Sequence, residues 1–87
     1  LIEKGADINK SDTYERTPLF IACEKGYLDI VEVLIEKGAD INKSDTYERT
    51  PLFIACEYGH LDIIELLIEK GADLNKSDID GKTPLFI

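Results

Sequence analysis

The feature that most constrains this chain is a gapless internal repeat of 33 residues. Residues 1–33 and 34–66 align without insertion and differ only at Lys25/Tyr58, Tyr27/His60, Val31/Ile64 and Val33/Leu66. A third copy occupies residues 67–87 and departs from the second at Leu74, Ile79, Asp80, Gly81 and Lys82. Self-similarity at such a period is the mark of a solenoid, in which each unit is one small supersecondary element whose apolar face is buried by its neighbours.

Within a unit, the local signals predict two short helices and a long polar turn. Thr17 followed by Pro18 places a capping hydroxyl before a proline at the first helical position. Leu19, Ala22 and Cys23 then fall at i, i+3 and i+4, a narrow stripe of small residues that lets a neighbour approach closely, and Gly26 stops the helix after about two turns. A second pattern runs over residues 28–37, with Ile30, Val31, Leu34 and Ile35 inward, Asp29 in the first turn and Gly38 as the stop. The connection is short enough to require an antiparallel pair. Residues 39–49, ADINKSDTYER, have no helical period and are rich in Asn, Asp and Ser, as in an extended hairpin-like loop. Isolated helices of this length are marginal in water, so stacking on the next unit is obligatory.

These residues resemble the ankyrin repeat. The T-P-L-H-x-A signature of that family is met by Thr17, Pro18, Leu19, Phe20, Ile21 and Ala22, and again by residues 50–55. The match extends to Gly26 and Gly59 between the helices, and to Gly38, Ala39, Asp40, Ile41 and Asn42 after the second helix, repeated at residues 71–75. The resemblance implies an all-α solenoid of stacked antiparallel helix pairs joined by hairpin-like loops, in a single array over residues 1–87. Residues 12–44 and 45–77 form full repeats, 1–11 and 78–87 partial ones, and the whole is read as part of a longer protein. The sequence departs from the family at two places. Phe20, Phe53 and Phe86 replace its usual His, which predicts an aromatic ladder in register along the stack. Glu15 and Glu48 replace the turn glycine kept at Gly81, a change that costs little only where φ is negative.

Charge excludes some partners. Eighteen carboxylates against ten basic groups give a net charge of −8, which opposes a phosphate backbone and argues against nucleic acid. No apolar run approaches the roughly 20 residues of a membrane helix. Cys23 and Cys56 recur at the same place in successive units, about 8 to 10 Å apart, beyond disulfide reach, and are expected to be small buried thiols of an intracellular, cytoplasmic or nuclear protein.

The chemical inventory is thin. Asp7, Asn9 and Ser11, with Asp40, Asn42, Ser44 and Asp73, Asn75, Ser77, imitate the start of a calcium loop. The position-six glycine and position-twelve glutamate are replaced by aspartate and proline. These side chains are therefore expected to bond nearby backbone amides, and no metal or cofactor is expected. His60 is the sole imidazole, and Tyr27 fills its place one unit earlier, so packing or capping is the simpler role and an enzyme is not expected.

Binding of a protein partner is the expected function. The alternatives are an architectural spacer between other domains or a non-catalytic repeat part of a larger enzyme. In the ankyrin family the loop tips and the polar side of the first helices form a concave, partner-contacting groove. Carried over by position, that surface is Thr13, Tyr14, Arg16, Glu24 and Lys25, then Thr46, Tyr47, Arg49, Glu57 and Tyr58, then Ile79, Asp80 and Lys82. Tyr and Arg are the proposed anchors, Tyr for contact area with few rotors and Arg for its five donors. The convex ridge of Asp29, Glu32, Glu36, Asp62, Glu65 and Glu69 is expected to be a solvated face. Neither end carries a polar capping face, so the chain alone is expected to be marginally stable or to self-associate through its ends.

Overall fold

A computed structural model describes residues 7–84. Four helices follow in order: α1 (Pro18–Lys25), α2 (Leu28–Glu36), α3 (Pro51–Glu57) and α4 (Leu61–Glu69), and no strand occurs among the described residues. α1 packs on α2 and α3 on α4, forming two helix pairs, and the pairs stack chiefly through α1 against α3.

The starts of α1 and α3 are fixed as the sequence predicts. Thr17 and Thr50 hold extended backbone, and each hydroxyl accepts the N–H three residues on, from Phe20 and Phe53, at 3.1 Å. Both threonines are buried, so these caps satisfy donors that water cannot reach. α1 ends at Gly26, whose φ of 79° is left-handed. A Cβ there would lie 2.7 Å from the His60 ring of the next repeat, so the glycine serves both the turn and the stacking distance. α2 ends at Glu36, with Lys37 as its cap just outside the helix.

The core is one continuous cluster that includes Leu19, Phe20, Ala22, Cys23, Val31 and Leu34 of the first pair and Leu52, Ile54, Ala55, Ile63 and Leu67 of the second. Burying each of the larger side chains is worth roughly 1.5 to 3 kcal/mol. Of the four residues expected inward in α2, Val31 and Leu34 are buried, whereas Ile30 and Ile35 are only half-buried. The same helical position is covered differently in the two units. Ile63, the counterpart of Ile30, is fully buried by the repeat before it.

One open question is answered and two expectations are corrected. Glu15 and Glu48 take the glycine conformation: both hold φ of 61°, alongside 83° at Gly81. The reason lies in the hairpin. Glu15 N–H donates to Asp12 C=O at 2.9 Å and Asp12 N–H to Arg16 C=O at 3.0 Å, which makes a three-residue loop whose last position is left-handed whatever residue occupies it. The aromatic ladder does not form either. Phe20 and Phe53 are both buried, but the guanidinium of Arg49 lies over the Phe20 ring, and the one ring pair among the described residues is Tyr58 with His60. Phe86 lies outside the described residues. Finally, Cys23 is buried but Cys56 is half-buried; both are free.

Candidate functional site

Successive loop tips are tied into one surface by the backbone. Thr46 N–H donates to Tyr14 C=O at 3.0 Å, and Ile79 N–H to Tyr47 C=O at 2.9 Å. Below the tips, Asn9 Oδ1 accepts from Asp40 N–H at 2.7 Å and Asn42 Oδ1 from Asp73 N–H at 2.9 Å, again one repeat apart. Asp7, Asp40 and Asp73 each accept the amide two residues on, from Asn9, Asn42 and Asn75. The Asp and Asn oxygens that imitate a calcium loop are thus bonded to amides, as turn residues do. No group of three or more His, Cys, Asp or Glu placed to hold a metal occurs among the described residues.

Each tip is organised by an aspartate whose role sequence reasoning missed. Asp45 Oδ1 accepts from the N–H groups of Tyr47 and Arg49 at 3.0 and 2.8 Å, while Oδ2 accepts from Arg49 Nε and Nη2 at 2.9 and 2.7 Å. Asp45 is 5% exposed, so its charge is neutralised almost wholly by Arg49. Asp12 makes the same set with Tyr14 and Arg16. The backbone N–H of Arg16, above all, holds the Asp12 carboxyl below its ordinary range. Asp78 accepts from the Asp80 and Lys82 amides through Oδ1 alone. The signal was available as Asp at i before Arg at i+4 in each full unit, a spacing read instead as part of a failed calcium loop.

This network corrects the proposed role of the arginines. Arg16 and Arg49 are not free forks: beyond their aspartates, Nη1 of Arg16 is 3.9 Å from Glu24 and Nη1 of Arg49 is 3.6 Å from Glu57. Each guanidinium also lies over the tyrosine of its own tip, at 5.2 Å for Tyr14 and 5.3 Å for Tyr47. The arginines hold the tyrosines, which stay open to solvent with Tyr14 57% and Tyr47 53% exposed.

Six of the thirteen residues carried over by position meet in one recess. Tyr47, Arg49, Glu57, Ile79, Asp80 and Lys82, with Phe53 and Asp78, enclose about 500 Å³ between two loop tips and α3. Thr13 and Thr46 are exposed on the tips, and Glu24 is half-buried beside Arg16. Lys25 and Tyr58 lie outside the recess, at the far ends of the first helices, where Tyr58 stacks on His60 at 6.4 Å. His60 itself, at the start of α4, donates through Nε2 to the Glu24 carbonyl of the preceding repeat at 3.1 Å. That contact gives the imidazole an inter-repeat packing role. The acidic ridge side chains on α2 and α4 are exposed.

A second, more apolar recess of about 570 Å³ opens beside α1, lined by Pro18, Ile21, Ala22, Tyr27 and Ile30 with Lys10, Ser11, Asp12 and Arg16. The equivalent Pro51, Ile54, Ala55 and Ile63 are buried.

No helix among the described residues is long and apolar enough to cross a membrane. No curated protein sequence matches this chain. The family model for ankyrin repeats in many copies matches residues 1–35, 19–68 and 52–87, spanning the whole sequence. With the capped helix pairs and the loop tips joined one to the next, that match shows that the chain belongs to the ankyrin-repeat family, whose repeats are generally protein–protein interaction modules.

Proposed function

We propose that this chain binds a protein partner in the groove between its loop tips and the polar side of α1 and α3, and performs no chemistry of its own. The observation that carries the reading is the convergence of Tyr47, Ile79, Glu57 and Lys82 on one recess, with large exposed side chains on successive tips that are joined by backbone hydrogen bonds. Rigid aromatic groups with few rotors to freeze suit an interface centre. Free Cys23 and Cys56 support a reducing, intracellular setting.

The test uses Tyr47→Ala with Ile79→Ala, both in the recess and more than half exposed, and so removable without loss of core. The pair is expected to weaken partner binding by about 2 kcal/mol or more, the size of a hot spot. Glu32→Lys with Glu65→Lys on the convex ridge is the control. A photo-reactive phenylalanine at position 47 should crosslink a discrete protein that the same group at position 65 does not. Loss of binding in the ridge pair alone would place the docking face on the convex side.

A further inference from the structure

The first two loop tips are identical in sequence, and comparing them with the third, which differs at residues 79–82, shows a group missing from the third. Over Phe20 sits the guanidinium of Arg49, its Cζ 5.6 Å from the ring centroid, bonded to Asp45 Oδ2. Glu24, on the helix below, adds to the attraction that keeps Arg49 charged. One repeat on, Phe53 takes the place of Phe20, Asp78 that of Asp45 and Glu57 that of Glu24, but Lys82 replaces Arg49. Lys82 makes no ion pair and no cation–π contact among the described residues, and Asp78 Oδ2 receives no hydrogen bond there, in contrast to Asp45. A lysine carries a single ammonium on a flexible stem and cannot reproduce the planar fork. What remains is the recess of about 500 Å³ floored by Phe53.

The geometry points to an arginine side chain of the partner as the occupant of that recess, lying along the wall to which the buried Phe53 contributes and paired with Asp78 and Glu57. This rests on the groove reading above and names the partner's chemistry: a basic segment presenting at least one arginine. Charge agrees. Three carboxylates, Glu57, Asp78 and Asp80, line the recess against Arg49 and Lys82, and Arg49 is bonded mainly to Asp45 outside it, with Glu57 a looser partner at 3.6 Å. Lys82 is exposed and can turn to solvent. The chain's net charge of −8 steers a cationic segment toward it.

The experiment titrates the full chain with acetyl-Gly-Arg-Gly-amide and with its citrulline analogue, which keeps the shape but loses the charge, following the Phe53 ring and Asp78 amide signals by NMR. Saturable shifts at those two groups are expected, with the citrulline peptide about fivefold weaker or worse, as the loss of a charge-assisted hydrogen bond implies. Lys82→Arg should supply the missing group from within. It is expected to abolish the shifts while raising the unfolding midpoint, which also shows that the variant is folded. Equal binding of the two peptides, shifts confined to other residues, or a Lys82→Arg variant that binds like the parent would each overturn the assignment. Should Tyr47→Ala weaken a protein partner while Lys82→Arg does not, the groove stands and the arginine pocket falls.

Discussion

The guanidinium of Arg49 lies over the ring of Phe20, one repeat earlier in the chain, while both its Nε and Nη2 bond Asp45. One side chain therefore joins a loop tip to the helix pair beneath it, and Arg49→Lys is not conservative here. The substitution keeps the charge but loses the fork and the planar stacking, and it is expected to cost about 1 kcal/mol in urea unfolding. Asp45→Ala should cost more, about 2 kcal/mol, because it strands Arg49 and two backbone N–H groups. Asp12→Ala should cost less than Asp45→Ala, since Asp12 is solvent-exposed. Equal effects of the two alanine variants would contradict the role assigned to burial.

Acid should act on the same tips. The Asp12 carboxyl is held below its ordinary value, first by the Arg16 backbone N–H. A folded pKa below the unfolded one contributes stability that is present above about pH 4 and is lost as pH falls through the folded value. Carboxyl titration followed by NMR should find Asp12 protonating below the ordinary aspartate value of about 4, and a midpoint at or above that value would refute the hydrogen-bonded turn.

Glu15 and Glu48 hold a left-handed conformation that a glycine holds at position 81. A residue with a Cβ loses roughly 1 kcal/mol there relative to glycine. Glu48→Gly is thus expected to stabilise by about 1 kcal/mol, which in a domain of this size raises the midpoint by about 4 to 8 °C. Glu48→Val, β-branched, should lower it. A fall on introducing glycine would mean that the Glu48 side chain makes a contact worth more than the strain.

The helices were legible because their signals are local: Thr before Pro, an apolar stripe, then Gly. The groove was legible only in outline. Tyr47, Ile79 and Lys82 converge as their positions in the repeat imply, but the engagement of Arg49 was hidden, because its partners Asp45 and Phe20 belong to different units and the repeat alignment pairs Arg with Arg. Asp45 itself was obscured by a false analogy with calcium loops. The strain at Glu48 was legible as a question, and the hairpin hydrogen bonds of Asp45 answer it. Differential burial of Ile30 and Ile63, identical in the repeat, depends on what is stacked on each and has no local signature.

The two thiols should separate under alkylation. Burial pushes the Cys23 thiol up to about 12 and also raises that of the half-buried Cys56. At pH 8.5, iodoacetamide should modify the half-buried Cys56 first and Cys23 only as fast as the core opens. Because the folded pKa of Cys23 lies above the unfolded value, its contribution to stability is complete below the ordinary thiol range and is lost as pH rises toward 12. Cys23 reacting as fast as Cys56 in the native chain would show that the α1–α3 contact is open.

The Asp and Asn ladder gives the most local test of stacking, since Asn42 and Asn75 are the same residue in the same turn with different surroundings. Asn42 Oδ1 accepts from the Asp73 amide of the next repeat, whereas no described amide bonds the Asn75 side chain. Asn42→Ala is expected to cost about 1 kcal/mol, the net value of one such hydrogen bond, and Asn75→Ala close to nothing. Asn42→Asp keeps an acceptor but sets a second carboxylate near Asp73, so it should destabilise at low ionic strength and recover with salt. With the aspartates of this ladder already bonded to amides, millimolar calcium should leave the midpoint of the parent chain unchanged. A rise of several degrees would restore the calcium reading, and equal costs for Asn42→Ala and Asn75→Ala would remove the ladder as a source of coupling between repeats.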